Sequence, residues 1–244
     1  MFRFHYLILI LVVSVAKTII ASETIPTGLT SGDWNSIRAE YERNRHYVFS
    51  DGSGYRARNL GQQWLTRFDG RGFLVEPDNA PWRWGLELRS YGFSGNLHPV
   101  ENPARITADQ QRVAYSWDRN LEEWFVNDRS GLEHGFTLRQ RPAGGGKFLT
   151  LLLSIRGGLR PRVHPGSQGV SFLTPEGSSA LEYAGLKVWD AAGKTLAASL
   201  HGDAGGLRLE IDESGARYPI TIDPTAQQAY LKGFRCEIRQ ERSW

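Results

Sequence analysis

The stretch WRWGLELRSYGF, Trp82 to Phe93, decides the fold class. Trp82, Trp84, Leu86, Leu88 and Ser90 fall on one face of an extended chain, and Arg83, Glu87, Arg89 and Tyr91 on the other. Side chains of a strand alternate between faces, so this is the pattern of a half-buried strand with one wet side. The texture continues outward. GQQWLTRF (61–68) and GFLVE (72–76) precede it, and RVAYSW (112–117) and LEEWFV (121–126) follow. Between them stand Asp69-Gly70, Pro77-Asp78-Asn79, Ser94-Gly95-Asn96 and Asp118-Arg119-Asn120, which favour turns through fixed or left-handed φ and short side-chain-to-backbone bonds.

The second half keeps the habit with fewer aromatics. Phe136, Leu138 and Gln140 alternate with Thr137, Arg139 and Arg141, and FLTLLLSI (148–155) is apolar enough to be buried on both faces. Further strands are predicted over 169–173, 180–183, 185–189, 195–200, 207–211 and 218–222. Asp190–Lys194 reads as a hairpin loop and Pro142–Gly146 as a mobile tip. Short strands recurring every ~8–12 residues are the pattern of a sandwich or Greek-key module. One helical signal stands apart, SGDWNSIRAEYERNRHYV (31–48), with Ser31 or Asp33 as N-cap and Trp34, Ile37 and Tyr41 near helical spacing. The expected fold is all-β, an antiparallel β-sandwich-like arrangement with one short N-terminal helix after a signal peptide. Six of the eight Trp lie between positions 34 and 124, which places a boundary near 128 and predicts a helix plus Trp-rich β region over 23–128 and a β-sandwich module over 129–224.

Residues 1–22 carry Arg3, an apolar run from Tyr6 to Ala16, and small residues at Ser14–Ala16 and Ala21-Ser22, the three zones of a secretory signal. The run is shorter than the ~20 residues a membrane span needs. The chain is therefore expected to be secreted or held in the cell envelope, with no stable membrane span after cleavage. Removing residues 1–22 takes Arg3 and Lys17 from the 29 basic residues and nothing from the 26 acidic ones, so the formal net charge falls from +3 to about +1. Arginines are spread singly among acids and aromatics, and no polybasic patch points to nucleic acid. A single Cys236 excludes an intramolecular disulfide framework and a Cys-rich zinc module.

No reaction centre emerges from the motifs. Gly193-Lys194-Thr195 has Val188 where the phosphate loop requires its first Gly, and neither a Gly-x-Ser-x-Gly elbow nor a His-Glu-x-x-His helix occurs. His46, His98, His134, His164 and His201 are isolated along the chain and are read as surface or turn residues, so no metal or cofactor is expected. Asp118, Glu122 and Glu123 form an acidic group beside Trp117 and Trp124, but neighbours on a strand point to opposite faces and do not make a carboxylate pair. Trp82, Trp84, Tyr91, Trp117 and Trp124 are the candidate ligand-binding residues, able to stack on a sugar ring or a peptide if exposed and forming core if not.

The run from GQQWLTRFDGRGFLVEPDNAPWRWGLELRSYGF through NLEEWFVNDRSGLEHGFTLRQRPAG and LLLSIRGGLRP to GARYPITIDPTAQQAYLK resembles the N-terminal region of secreted bacterial FG-GAP (integrin-α-like β-propeller) repeat proteins. The segment Tyr218–Pro224, YPITIDP, is similar to the closing strand of the β-sandwich module that precedes such repeat arrays. The resemblance implies that 225–244 joins a remnant of the first propeller strand to a non-matching tail, in a chain truncated before the propeller. It also implies a non-enzymatic leader or spacer module of an extracellular or cell-surface adhesion protein, and carries over no functional residue. Two alternatives stand beside it: a module binding an extracellular glycan or protein through the five aromatics, and a hydrolase built on Asp118, Glu122 and Glu123.

Overall fold

A computed structural model describes residues 25–203 and 205–228. The expected signal peptide and the tail that holds Cys236 lie outside the described residues. The described chain divides within its helix, after Ala39, into two units. Helix α1 spans Ser31–Asn44. Its N-cap is Thr30, not Ser31 or Asp33 as expected. The Thr30 hydroxyl accepts the Asp33 amide at 3.2 Å, and the Thr30 amide donates back to the Asp33 carboxylate at 3.2 Å. This reciprocal box satisfies two amides that a helix start leaves without partners. The helix stops at Asn44 rather than Val48 because the β-branched Val48 pairs with Ala57 in a sheet.

Turn residues cut the remainder into strands β1 (Val48–Ser50), β2 (Tyr55–Asn59), β3 (Trp64–Phe68), β4 (Phe73–Pro77), β5 (Trp84–Phe93), β6 (Asn96–Pro99), β7 (Arg105–Asp109), β8 (Arg112–Ser116) and β9 (Leu121–Asp128). There follow β10 (Gly131–Leu138), β11 (Leu149–Gly157), β12 (Arg160–Val163), β13 (Gly169–Leu173), β14 (Ser179–Trp189), β15 (Ala198–Asp203), β16 (Gly206–Ile211) and β17 (Ile220–Gln228). One sheet runs β1-β2-β3-β4-β5-β11-β16-β15 with β6 added to β5, and the other runs β12-β13-β14-β17-β10-β9-β8-β7. Every pairing is antiparallel. Each sheet draws strands from both sides of position 128, as when β5 pairs with β11 and β9 with β10. Thr225–Gln228 continue β17 in the middle of the second sheet.

The two sheets pack face to face through aromatics, the arrangement of an antiparallel sandwich. Phe68 and Phe73 of the first sheet meet Phe125 of the second at 5.1 and 5.4 Å, and Trp84 meets Phe172 at 4.9 Å. Each such pair adds roughly 0.5–1.5 kcal/mol to what burial of the rings already contributes. The aliphatic core comes from Leu149, Leu151 and Leu153 of β11 and Leu207, Leu209 and Ile211 of β16, all buried.

Strand β5 departs from simple alternation. Leu152 and Leu153 of β11 are consecutive, yet they face Ser90 and Leu88, so Arg89 is an extra residue in β5. A bulge of one residue reverses the facing of everything beyond it. Trp84, Leu86 and Leu88 point into the sandwich, and after Arg89 it is Tyr91 and Phe93 that do so. Tyr91 therefore leaves the wet face where alternation placed it. A similar irregularity between Ala184 and Lys187, at Gly185 with φ +77°, joins the two segments expected at 180–183 and 185–189 into the single β14.

Buried amides tie the sheets at one end. The Asn59 carboxamide of β2 donates to Asn127 Oδ1 at 2.9 Å and to the Asp128 carbonyl at 2.7 Å, while Asn127 donates to the Arg58 carbonyl at 2.9 Å. Gln62 accepts the Gln228 amide at 2.9 Å, which holds the end of β17 against the β2–β3 turn. Buried polar groups that all find partners fix one register between packed layers.

Candidate functional site

The five aromatic candidates fall in separate environments. Trp84 is fully buried between Phe73, Phe172 and Tyr183. Trp117 is buried, and its indole N–H donates to Glu123 at 2.8 Å. Tyr91 is brought inward by the bulge, and its hydroxyl donates to Asp118 at 2.6 Å. Burial, then the Asp118 carboxylate beside it, raises the pKa of that hydroxyl well above the usual tyrosine range.

Trp124 lies on the outer face of β9 yet is only 8% exposed. The Arg112 guanidinium lies 4.9 Å over its ring. Beneath it, Gly135 stands directly opposite in β10, and a Cβ there would lie 2.1 Å from the indole. The glycine makes room for the ring to lie flat, which buries indole surface without a second sheet. Trp82 is half-buried and lines a cleft that none of the other four reaches.

The acidic group also separates. Glu122 points outward and is held by Arg112 at 2.8 Å and Arg139 at 2.9 Å. Asp118 organises the β8–β9 turn by accepting the Asn120 and Leu121 amides at 2.7 and 2.8 Å. Burial opposes its charge, but the Tyr91 hydroxyl and these two amides outweigh it and hold its carboxyl below the ordinary aspartate value. Glu123 points inward and is completely buried. The three carboxylates thus share no site, and none of them lines the cleft.

Around Glu123 lies a chain of polar groups that the isolated reading of His134 missed. His134 is not a surface or turn residue but completely buried. Its Nε2 lies 2.7 Å from Glu123 Oε1, and its Nδ1 lies 2.9 Å from the Tyr183 hydroxyl. With Nε2 donating to Glu123 and Nδ1 accepting the tyrosine proton, one tautomer satisfies all three groups. Burial, then the charges of Glu123 and Asp223, pushes the Tyr183 hydroxyl well above its ordinary pKa and keeps it a donor. The imidazole stacks on Phe125 with centroids 5.1 Å apart and lies 4.7 Å from the Phe136 ring. The signal in the sequence was the alternation of Leu132, His134, Phe136 and Leu138, which puts the histidine on the apolar face of β10. A general base must come within reach of a substrate proton. This one is sealed in the core, and the chain of groups acts as a polar tie between β9, β10 and β14.

The cleft has a volume of about 790 Å³ among the described residues. The β4–β5 loop supplies Asn79, Trp82 and Arg83, the β11–β12 connection supplies Gly157–Leu159, and the β13–β14 turn supplies Glu176. Gln63 and Gln228 close one wall, both placed by the Gln62 tie. Trp82 also packs on the core, so its ring is immobilised before any ligand arrives. Arg83 is paired with Glu76 at 3.0 Å. Among the described residues no group of three or more His, Cys, Asp or Glu could hold a metal ion, and no helix is long and apolar enough to cross a membrane. Comparison with protein-family models, curated proteins and solved structures finds no match to this chain.

Proposed function

We propose that this chain is a non-enzymatic, exported β-sandwich module that binds an extracellular ligand in the cleft beside Trp82. The observation that carries the reading is the position of that residue: a half-buried indole, seated on the core, in the wall of a cleft of about 790 Å³. Ligand sites of this size combine an apolar lining with a few polar groups that orient the ligand. The placement of Asp118, Glu122 and Glu123 in three separate environments favours binding over hydrolysis.

Titration of the intact chain with extracellular polysaccharides and peptides, followed by tryptophan fluorescence, tests the reading. A ligand that shifts the emission of the wild type and leaves that of Trp82→Ala unchanged is the expected result. An equal shift in both proteins moves the site elsewhere.

The leader-module role in an FG-GAP protein is inferred from the sequence resemblance of Tyr218–Pro224. Sequencing the locus tests it. A continuous frame with no propeller repeats encoded downstream overturns it.

A further inference from the structure

We infer that the cleft selects a short neutral oligosaccharide, one ring of which stacks on the exposed face of Trp82; the inference rests on the ligand-binding reading above. Three properties of the lining lead to this class. The first is charge. Arg83 and Glu176 are the charged lining residues, one of each sign, and the Arg83 guanidinium is paired with Glu76, which Arg67 also holds. Such a surface does not concentrate polyanions such as nucleic acid or acidic glycans, which need a one-signed field.

The second property is the absence of a peptide track. The walls are the β4–β5 loop, the β11–β12 connection, the β13–β14 turn and the end of β17. Addition to an open strand edge and docking along a row of aromatic side chains are two recurring modes of peptide recognition. Turns and a strand end offer no ladder to extend, and Trp82 is the single aromatic residue of the lining. One immobilised ring suits one flat, partly apolar partner, and the C–H face of a pyranose is such a partner.

The third property is the kind of polar group around the ring. Gln63 and Asn79 both line the cleft, and no side-chain hydrogen bond within the described residues engages either carboxamide. A carboxamide presents two donors and an acceptor, the complement of a ring that carries hydroxyls able to do both. Sites built to hydrogen-bond hydroxyls gain specificity because the wrong ligand leaves their polar groups without partners.

The intact chain, labelled with ¹⁵N at its indoles, tests the inference. Indole N–H spectra are recorded with soluble neutral tetrasaccharides (β-1,4-glucose, xylose, mannose and N-acetylglucosamine), with polygalacturonate, and with a pool of neutral peptides. The Trp82 resonance is identified by its loss in Trp82→Phe. The expected result is a saturable shift of Trp82 with at least one neutral tetrasaccharide, weakened at least tenfold in Asn79→Ala, and none with polygalacturonate. A shift of Trp82 with peptides or polygalacturonate and not with neutral sugars overturns the ligand class and leaves the cleft a binding site. Silence of Trp82 toward every probe overturns both readings.

Discussion

Two regions of this molecule use the same side chains for opposite ends. In the closed interior, Trp117, Glu123, His134 and Tyr183 join into one chain of hydrogen bonds of 2.7 to 2.9 Å. In the cleft, Trp82 stands beside Asn79, Gln63 and Glu176 in a lining open to solvent. Trp82 and Trp84 lie two residues apart, yet one lines the cleft and the other is sealed against Phe172. The difference is where the sandwich closes. β5 begins at Trp84, inside the sheet, while Trp82 belongs to the loop that leads into it. Residue type alone does not tell these two indoles apart; position relative to the first paired residue of the strand does.

The largest effect should come from breaking the interior tie. Replacing Glu123 by Ala leaves the Trp117 indole N–H and His134 buried without their partner. The loss should be roughly 3–5 kcal/mol, the range for removing one member of a buried polar pair. Urea denaturation of the variant checks it. Glu123→Leu combined with His134→Leu should cost less than the sum of the two single changes, because neither member of the pair is left buried without the other, although the Trp117 indole N–H and the Tyr183 hydroxyl still lose their acceptors.

Next in size is Gly135→Ala. The added Cβ would lie 2.1 Å from the Trp124 ring, so the ring must lift off β10. Overpacking of this kind costs about 1–3 kcal/mol. The midpoint of denaturation should fall, and the Trp124 fluorescence should become accessible to iodide.

Acid acts on the polar groups at the margins of the sandwich. Arg156 and the Arg71 amide outweigh burial and hold the Asp69 carboxyl low, as Tyr91 and the turn amides do for Asp118. A carboxyl lowered by folding contributes stability that is full above the ordinary aspartate value of about 3.9 and is lost as the pH falls through the lower folded value. Glu133 and Asp223 are raised by burial, with neighbouring carboxylates adding to it. Their contribution has the opposite sign: full below the ordinary value and lost as the pH rises through the folded one. Asp118→Asn should therefore flatten the fall in stability below about pH 4, and Glu133→Gln should stabilise the protein at pH 7. Thermal denaturation across this range, variant against wild type, reads both.

Much of the architecture was legible because alternation is a strong signal where one face is buried. The positions of β9, β11, β13 and β16 follow from their apolar and aromatic runs, but their facing does not. β11, expected to be buried on both faces, buries Leu149, Leu151 and Leu153 on one, and β9 turns Glu123 and Asn127 inward. The strands that escaped notice are short or polar. β12 reads RPRV with Pro161 inside it, β7 reads RITAD at a sheet margin, and β2 reads YRARN. Edge strands carry charge and proline as protection against further pairing, and that makes them look like loops. The bulge at Arg89 left no local mark, since Leu88-Arg89-Ser90-Tyr91 suits either facing, and only pairing with β11 decides it. The site was half legible. Trp82 was among five aromatics, and nothing local told it from Trp84. The cleft brings together loops some 150 residues apart in the chain, from Asn79 to Gln228.

The smallest change in stability should accompany the largest change in function. Trp82→Ala should keep the denaturation midpoint within ~1 kcal/mol of the wild type, because the residue is only half-buried, while ligand binding is lost.

Hydroxyl-radical footprinting of the intact chain, with oxidation read at each tryptophan by mass spectrometry, compares the two regions directly. Trp82 should be oxidised well before Trp64, Trp84, Trp117 and Trp124. Oxidation of Trp84 or Trp117 at the rate of Trp82 would contradict the division between the sealed aromatic core and the half-buried indole of the cleft.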